Sequence, residues 1–291
     1  MVAELESFIA GSETEIGSCL QRNGIPLIGA ISLFPGVEAS VNRNIFYLLS
    51  GVQGQSEVLV KFAARNQGIR AARFLLIHSE GQGIQSAIEQ TEKRAEAVGW
   101  ERPQILNVDD VSDWALLLRD GKFDAVLWLA SDKRLGEFFA GAFASGVFPV
   151  VLAPSAFIGS EIYEAPKQFS GRLFLSFPIL PTDQTKEGEV EFAELARSAK
   201  FSRGSLAERL TALSAAKLLI YALQKAGREV TREKVVENLE KLYQFDTGQT
   251  PPLTFTANRR VGIMGAHVVG VDLENKELLI PSSAWIELES P

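Results

Sequence analysis

Short apolar runs alternate with amphipathic stretches along this chain, and that alternation constrains its fold more than any other feature. Strands buried on both faces of a parallel sheet read as unbroken runs of Val, Ile and Leu. The segments Ile25–Ile31, Arg73–Ile77, Gln104–Val108, Ala125–Leu129, Pro149–Leu152 and Leu173–Phe177 have that character. Helical patterns fill Gln55–Asn66, Gly83–Val98, Asp113–Leu118 and Arg134–Ser145. Strands alternating with helices predict an α/β fold with a parallel sheet covered on both faces. Residues 73–177 carry five of these strands, which makes one complete doubly wound lobe.

Beyond Pro181 the pattern changes. Ser205–Ala226 reads as a long helix with Leu206, Leu210, Leu213, Leu218, Leu219 and Leu223 as its apolar positions. Thr231 is placed to cap a second helix ahead of Val235, Val236 and Leu239. Asp246–Arg260 is rich in turn formers and has no period. His267–Asp272 and Ala284–Leu288 alternate like an antiparallel pair.

At 291 residues the chain exceeds the usual size of one domain, so two lobes are expected. The net charge of −7, with no run of Lys or Arg, argues against a nucleic-acid partner, which needs a basic surface. Cys19 is the only cysteine, so neither an internal disulfide nor a cysteine zinc cluster is available. His78 and His267 are the only histidines and do not share a helix face, so no metal site is expected. No apolar run has the ~18 residues needed to span a membrane. The first residues lack the basic and apolar regions of a signal peptide.

Enzyme-like signals are few. Gly81-Gln82-Gly83-Ile84-Gln85-Ser86 follows a strand and opens a helix, as a dinucleotide-binding turn does, and Asp109 and Asp110 follow the next strand. Ser86 replaces the third glycine, however, and a tight strand-to-helix turn accounts for the other two. There is no nucleophile elbow and no phosphate-binding Gly-Lys-Ser/Thr loop. No catalytic residue and no cofactor is expected.

Small polar residues instead collect where ligands sit in parallel sheets, beyond the carboxyl ends of strands. Ser12-Glu13 follows an expected strand around Phe8–Ala10, and Ser32 follows Ile25–Ile31. Ser79-Glu80, Ser131-Asp132 and Ser155 follow the later strands. Hydroxyls and helix N-terminal N–H groups suit a carboxylate or an amide. Helix capping, which serine favours, is the competing explanation.

The order of several segments resembles the type I periplasmic substrate-binding proteins of ABC transporters, specifically the branched-chain amino acid and amide-binding family. Asn23–Ser32 is similar to that family's gIPliGpiTg segment, and Asn44-Ile45-Phe46-Tyr47 to the strand leading to its crossover. Ala125–Gly146 with Pro149–Ser160, Leu210–Ala222, and Pro252–Phe255 with Asn258-Arg259-Arg260 resemble later family segments. The resemblance implies two doubly wound lobes joined by a multi-strand hinge. Residues 1–50 and 181–245 would form lobe one, and 51–180 with 246–291 lobe two. It implies capture of a small polar organic ligand (amino acid, amide or short organic acid) between closing lobes, delivery to ABC permease subunits, and a periplasmic location. A ligand-sensing receptor domain and a dinucleotide enzyme are the alternatives.

Carried over by position, the resemblance places Ser12, Ala30 and Ser32 at the ligand in lobe one, and Glu80, Ser131 and Ser155 in lobe two. Ser155 stands where amino-acid binders often carry an acid, and Glu80 where an aromatic is frequent. An ammonium group would then be met by Glu80, Asp132 or Glu13, or the ligand is not an α-amino acid. The family has two further strands and helices ahead of the point where this chain begins. Lobe one is therefore expected to be incomplete, with self-association through its open edge.

Overall fold

The computed structural model describes residues 2–5, 9, 12–35, 43–66, 69, 72–199, 206–275 and 279–288. The chain divides into two units. The first comprises Met1–Gly51, Ile179–Met264 and Glu289–Pro291, the second Val52–Pro178 and Gly265–Leu288. Residues 246–264, expected in lobe two, fall instead in the first unit.

In the first unit β1 (Glu4–Leu5), β2 (Leu27–Ala30), β3 (Ile45–Leu49) and β9 (Val261–Ile263) form a parallel sheet in the order β1-β2-β3-β9. The ladder starts at Glu4–Leu5, ahead of the expected Phe8–Ala10 strand. Phe8 and Ala10 lie outside the described residues, and Ile9 is buried, its N–H donating to the Ile31 carbonyl at 3.0 Å. Helix α1 (Glu13–Asn23) carries Glu13 and Glu15 in its first turn and Arg22 in its last, matching the helix dipole, and Gly24 ends it in the left-handed region. Gly29, at φ +82°, is required by packing: a Cβ there would stand 2.5 Å from the Ala215 Cβ on α7 (Leu206–Ala226). The β2–β3 register slips at the same place.

The 246–264 segment is held by a buried cation. Arg260, 1% exposed, pairs with Glu240, donates to the Thr256 carbonyl at 2.7 Å and lies 4.7 Å from the Phe46 ring centre. Phe46 in turn meets Phe255 edge-on at 5.3 Å. Two further helices complete this unit, α6 (Lys186–Ala199) and α8 (Arg232–Leu239), with Thr231 capping α8 as its sequence suggests. Lys217 on α7 donates to Glu191 on α6 and to the Thr247 carbonyl, and Gln249 donates to Glu191 and the Gly188 carbonyl.

The second unit is an eight-stranded sheet whose main path runs β11-β10-β8-β7-β6-β4-β5. Its parallel strands, β4 (Phe74–His78), β5 (Gln104–Asn107), β6 (Ala125–Leu129), β7 (Val150–Pro154) and β8 (Leu173–Phe177), match the five apolar runs. β10 (Gly265–Val271) adds antiparallel to β8, with β11 (Leu279–Pro281) and β12 (Ile286–Glu287) antiparallel to it. Helices α3 (Ile84–Ala97), α4 (Trp114–Gly121) and α5 (Leu135–Ser145) link the strands, after α2 (Gly51–Asn66) brings the chain in. Gly141 lets α5 close on α4, because a Cβ there would meet the Trp114 Cβ at 2.3 Å.

Within this unit Glu57 on α2 pairs with Arg94 on α3 at 2.9 Å. Burial raises the Glu57 carboxyl above the ordinary range, and Arg94 only partly counters it. Between the unfolded and the raised folded pKa the native state holds more proton. Its stability advantage is thus full below that window and is lost as pH rises through it. Urea midpoints measured against pH should show wild type losing stability relative to Glu57→Gln across the window; parallel curves would contradict the assignment.

Glu240→Ala should cost about 3–5 kcal/mol, because it leaves the Arg260 charge buried and unpaired. Arg260→Met combined with Glu240→Leu should recover most of that loss. Denaturant unfolding of the three proteins tests the pair, and a loss under ~1 kcal/mol for Glu240→Ala would show that the charge is not held as described.

Candidate functional site

Every strand of a parallel sheet ends at the same edge, so residues far apart in sequence share one rim. In the second unit β7, β6 and β4 are adjacent, and Ser155, Ser131 and Ser79-Glu80 follow their carboxyl ends in that order. The Ser79 N–H donates to the Leu129 carbonyl at 3.2 Å, and the Ser131 N–H donates to the Ser79 hydroxyl at 3.3 Å. Two of these strand ends are thereby knitted together. The Trp128 indole N–H reaches the Ser131 carbonyl at 3.4 Å. Glu80 and the Ser131 side chain are exposed and Ser155 is half-buried. Asp132 opens the 3₁₀ turn Asp132–Arg134, and its side chain lies outside the described residues.

In the first unit Ser12 occupies the N-cap position of α1, yet its side chain makes no capping bond. The capping explanation therefore does not account for this hydroxyl. Ser32, just past β2, donates its hydroxyl proton to Glu13 at 2.5 Å and accepts from the Phe34 N–H at 3.0 Å. Glu13 and Ser32, 19 residues apart, form a direct pair. The Ala30 methyl is buried in the core with Leu27, Ile45 and Tyr47, which leaves only its backbone for a ligand. Each unit thus brings one pair of strand-end residues into contact, Glu13 with Ser32 and Ser79 with Ser131.

Sequence reasoning overlooked Ser50. It follows β3 directly, is 3% exposed, and its hydroxyl has no hydrogen-bond partner among the described residues. Its position immediately after the Ile45–Leu49 run is the signal that could have found it. Ser79, read with Glu80 as a strand-end residue, supplies the hydroxyl that ties β4 to β6.

The glycine-rich turn serves α3. Gly83 sits at φ +81° at the helix start, and the Ser86 hydroxyl donates to the Gln53 side chain at 3.2 Å, where a third glycine would leave room. Asp109 lies 3.5 Å from Arg134 and its N–H is held by the Asn107 side chain. The His78 ring nitrogen lies 3.1 Å from the Ser79 carbonyl, and His267 meets Trp285 edge-on at 5.0 Å. Among the described residues no three His, Cys, Asp or Glu side chains are grouped to hold a metal. A groove of about 530 Å³ beside β5 is lined by Leu106, Asp110, Asp113 and Asp120, and none of the strand-end candidates borders it.

Comparison with known proteins gives a consistent result. The family described as "Periplasmic binding protein" matches residues 4–277. No curated protein matches. A branched chain amino acid ABC transporter protein from Thermus thermophilus, solved with bound valine, is similar over 99% of this chain and 78% of its own, at 15% identity and a TM-score of 0.71. A fatty acid ABC transporter substrate-binding protein from Thermomonospora curvata is similar over 99% and 75%, at 17% identity and a TM-score of 0.69. A leucine binding protein from Thermotoga maritima is similar over 96% and 79%, at 16% identity and a TM-score of 0.65. Matching parallel sheets, hydroxyl-bearing strand ends and the family match over nearly the whole chain lead to one statement: this chain belongs to the periplasmic binding protein family.

Proposed function

We propose that this chain is the solute-binding component of an ABC uptake system, taking a small polar organic ligand at the carboxyl-end rims of its parallel strands. The observation that carries this reading is the hydrogen bonds at those rims, from the Ser32 hydroxyl to Glu13 and from the Ser131 N–H to the Ser79 hydroxyl, in a member of a family of binding proteins. Solved relatives named for branched chain amino acids, leucine and fatty acids support the same class of task. The ligand would pass to membrane permease subunits, and the site of action would be extracytoplasmic. No described helix is long and apolar enough to cross a membrane. The mechanism is binding without bond chemistry, in which the ligand shifts the population towards the conformation it fits best.

Thermal melting against amino acids, amides and short organic acids tests this directly. A ligand that binds only the native state should add about 2.7 kcal/mol at a hundredfold excess over Kd. A shift with nicotinamide cofactors or ATP and none with the panel would replace this reading by a nucleotide-dependent one.

Ser12→Ala and Ser32→Ala separate binding from architecture. Each should weaken affinity by an amount on the order of 1.5–3 kcal/mol if its hydroxyl serves a charged group. Ser12→Ala should leave the melting temperature nearly unchanged, because its side chain makes no capping bond. Calorimetry and melting on the same proteins decide; a cap-sized loss near ~1 kcal/mol in stability with full affinity would return Ser12 to a structural role.

A further inference from the structure

We propose that the open edge of β5 in the second unit is a docking site for an extended, basic segment of a partner protein, which adds to the sheet as one more strand. β5 ends the sheet and pairs with β4 alone. A strand in that position presents a row of backbone N–H and C=O groups that another chain can take up. Free edges are ordinarily blunted by a charge, a proline or a bulge. The far end of the same sheet follows that rule, since β11 ends on Pro281. Within β5 the residues are Gln104, Ile105, Leu106 and Asn107, none of them charged, and its register with β4 runs without a bulge. Arg102 and Pro103 stand ahead of it and guard only its entry.

The chemistry around this edge selects the occupant. Gln104 and Leu106 project from one face of β5 and, with Leu116 and Leu117 of α4, line the groove of about 530 Å³. Leu116 is 46% exposed there. The charged residues of the groove are Asp110, Asp113 and Asp120, all exposed. Asp113 also caps α4 by accepting from the Leu116 N–H at 2.9 Å, and Arg119 lies 3.4 Å from Asp120. Asp110 has no partner among the described residues. The loop that carries it is fixed in advance, because Arg134 donates to the Val108 and Val111 carbonyls at 2.7 and 3.0 Å. A lysine or arginine at every second position of an added strand fits both features. Its aliphatic stem lies along Leu106 and Leu116, and its head reaches the aspartates. A second groove of about 610 Å³, where α3 leads into β5, adds Glu89 and Glu96 beside Lys93 and the Glu92–Arg102 pair. Two copies of this chain paired edge to edge would set their acidic grooves side by side, and each carries a net −7. Charge complementarity therefore favours a basic partner over self-pairing.

The test is fluorescence anisotropy of short labelled peptides with the full chain. Alternating Lys-Thr repeats should bind, and Glu-Thr repeats should not. Strand addition uses the N–H of every second residue, so N-methylation of one alternate set should abolish binding while N-methylation of the other set keeps it. Leu116→Arg puts a cation into the groove at an exposed position, and should abolish binding with an unchanged melting temperature. Asp110→Asn combined with Asp120→Asn should weaken binding about twofold to thirtyfold at low salt, the size of two exposed ion pairs. Hydrogen exchange of alternate amides among residues 104–107 should slow when the peptide is bound. Failure of Lys-Thr repeats to bind overturns the proposal. Equal binding of both N-methylated peptides, or full affinity in Leu116→Arg, means charge adhesion alone and overturns it too. A peptide-free dimer with protected β5 amides gives the edge to a second copy, with the same consequence. None of the strand-end candidates borders this groove, so each of those failures leaves the solute-binding reading standing.

Discussion

The parallel ladder between β3 and β9 is the constraint on which the rest of the first unit depends. Tyr47 pairs with Val261 and Leu49 with Ile263, and the Tyr47 N–H donates to the Arg260 carbonyl at 2.8 Å. Forming this ladder carries the Arg260 side chain inside, where a bare guanidinium would be prohibitively unfavourable. Glu240, the Thr256 carbonyl and the Phe46 ring face answer that need together. α8, the 246–264 segment and β3 are thus fixed by one charge. Val52–Pro178 lies between the two strands in sequence and, with Gly265–Leu288, makes up the second unit.

The rims follow from strand direction more than from any motif. Parallel pairing in both sheets gathers strand ends at one edge, and the residues found there need only be small and polar. Contact then does what proximity in sequence cannot. Glu13 and Ser32 meet because β1, α1 and β2 turn back on themselves, and Ser79 meets Ser131 because β4 and β6 are neighbours although β5 lies between them in the chain. A hydroxyl's polarity is set by such a neighbour, so the residue type alone does not say what the position will bind.

Much of the second unit was legible, because a strand buried on both faces leaves an uninterrupted apolar run such as Ala125–Leu129 or Leu173–Phe177. The first unit was harder. β9 is only Val-Gly-Ile after two arginines, and its strand character comes from a partner far away in sequence. α6 is dense in glutamate and is held to α7 through Lys217 and to the 246–264 segment through Gln249, contacts without a sequence period. β1 pairs through Glu4–Leu5, which have neither length nor pattern to mark them. At the site, the residue types at Ser12, Ser32, Ser131 and Ser155 were readable from strand ends, whereas the buried Ala30 methyl and the orphaned Ser50 hydroxyl depend on packing.

The separation between Tyr47 and Val261 also bears on how the chain reaches this state. Closing a loop of about 200 residues before any compensating contact forms is entropically uphill and slow. If residues 52–178 have already collapsed around the Trp114, Trp128 and Phe138 cluster, the ends that must meet are held by a compact body instead of a loose coil. Ribosomal emergence runs in the same order, since the residues of β9 are synthesised last of the four strands they join. In that body the Ser176 hydroxyl donates to the Gln55 side chain at 3.4 Å, so the points where the chain enters and leaves it stand side by side and the effective loop is far shorter than its sequence.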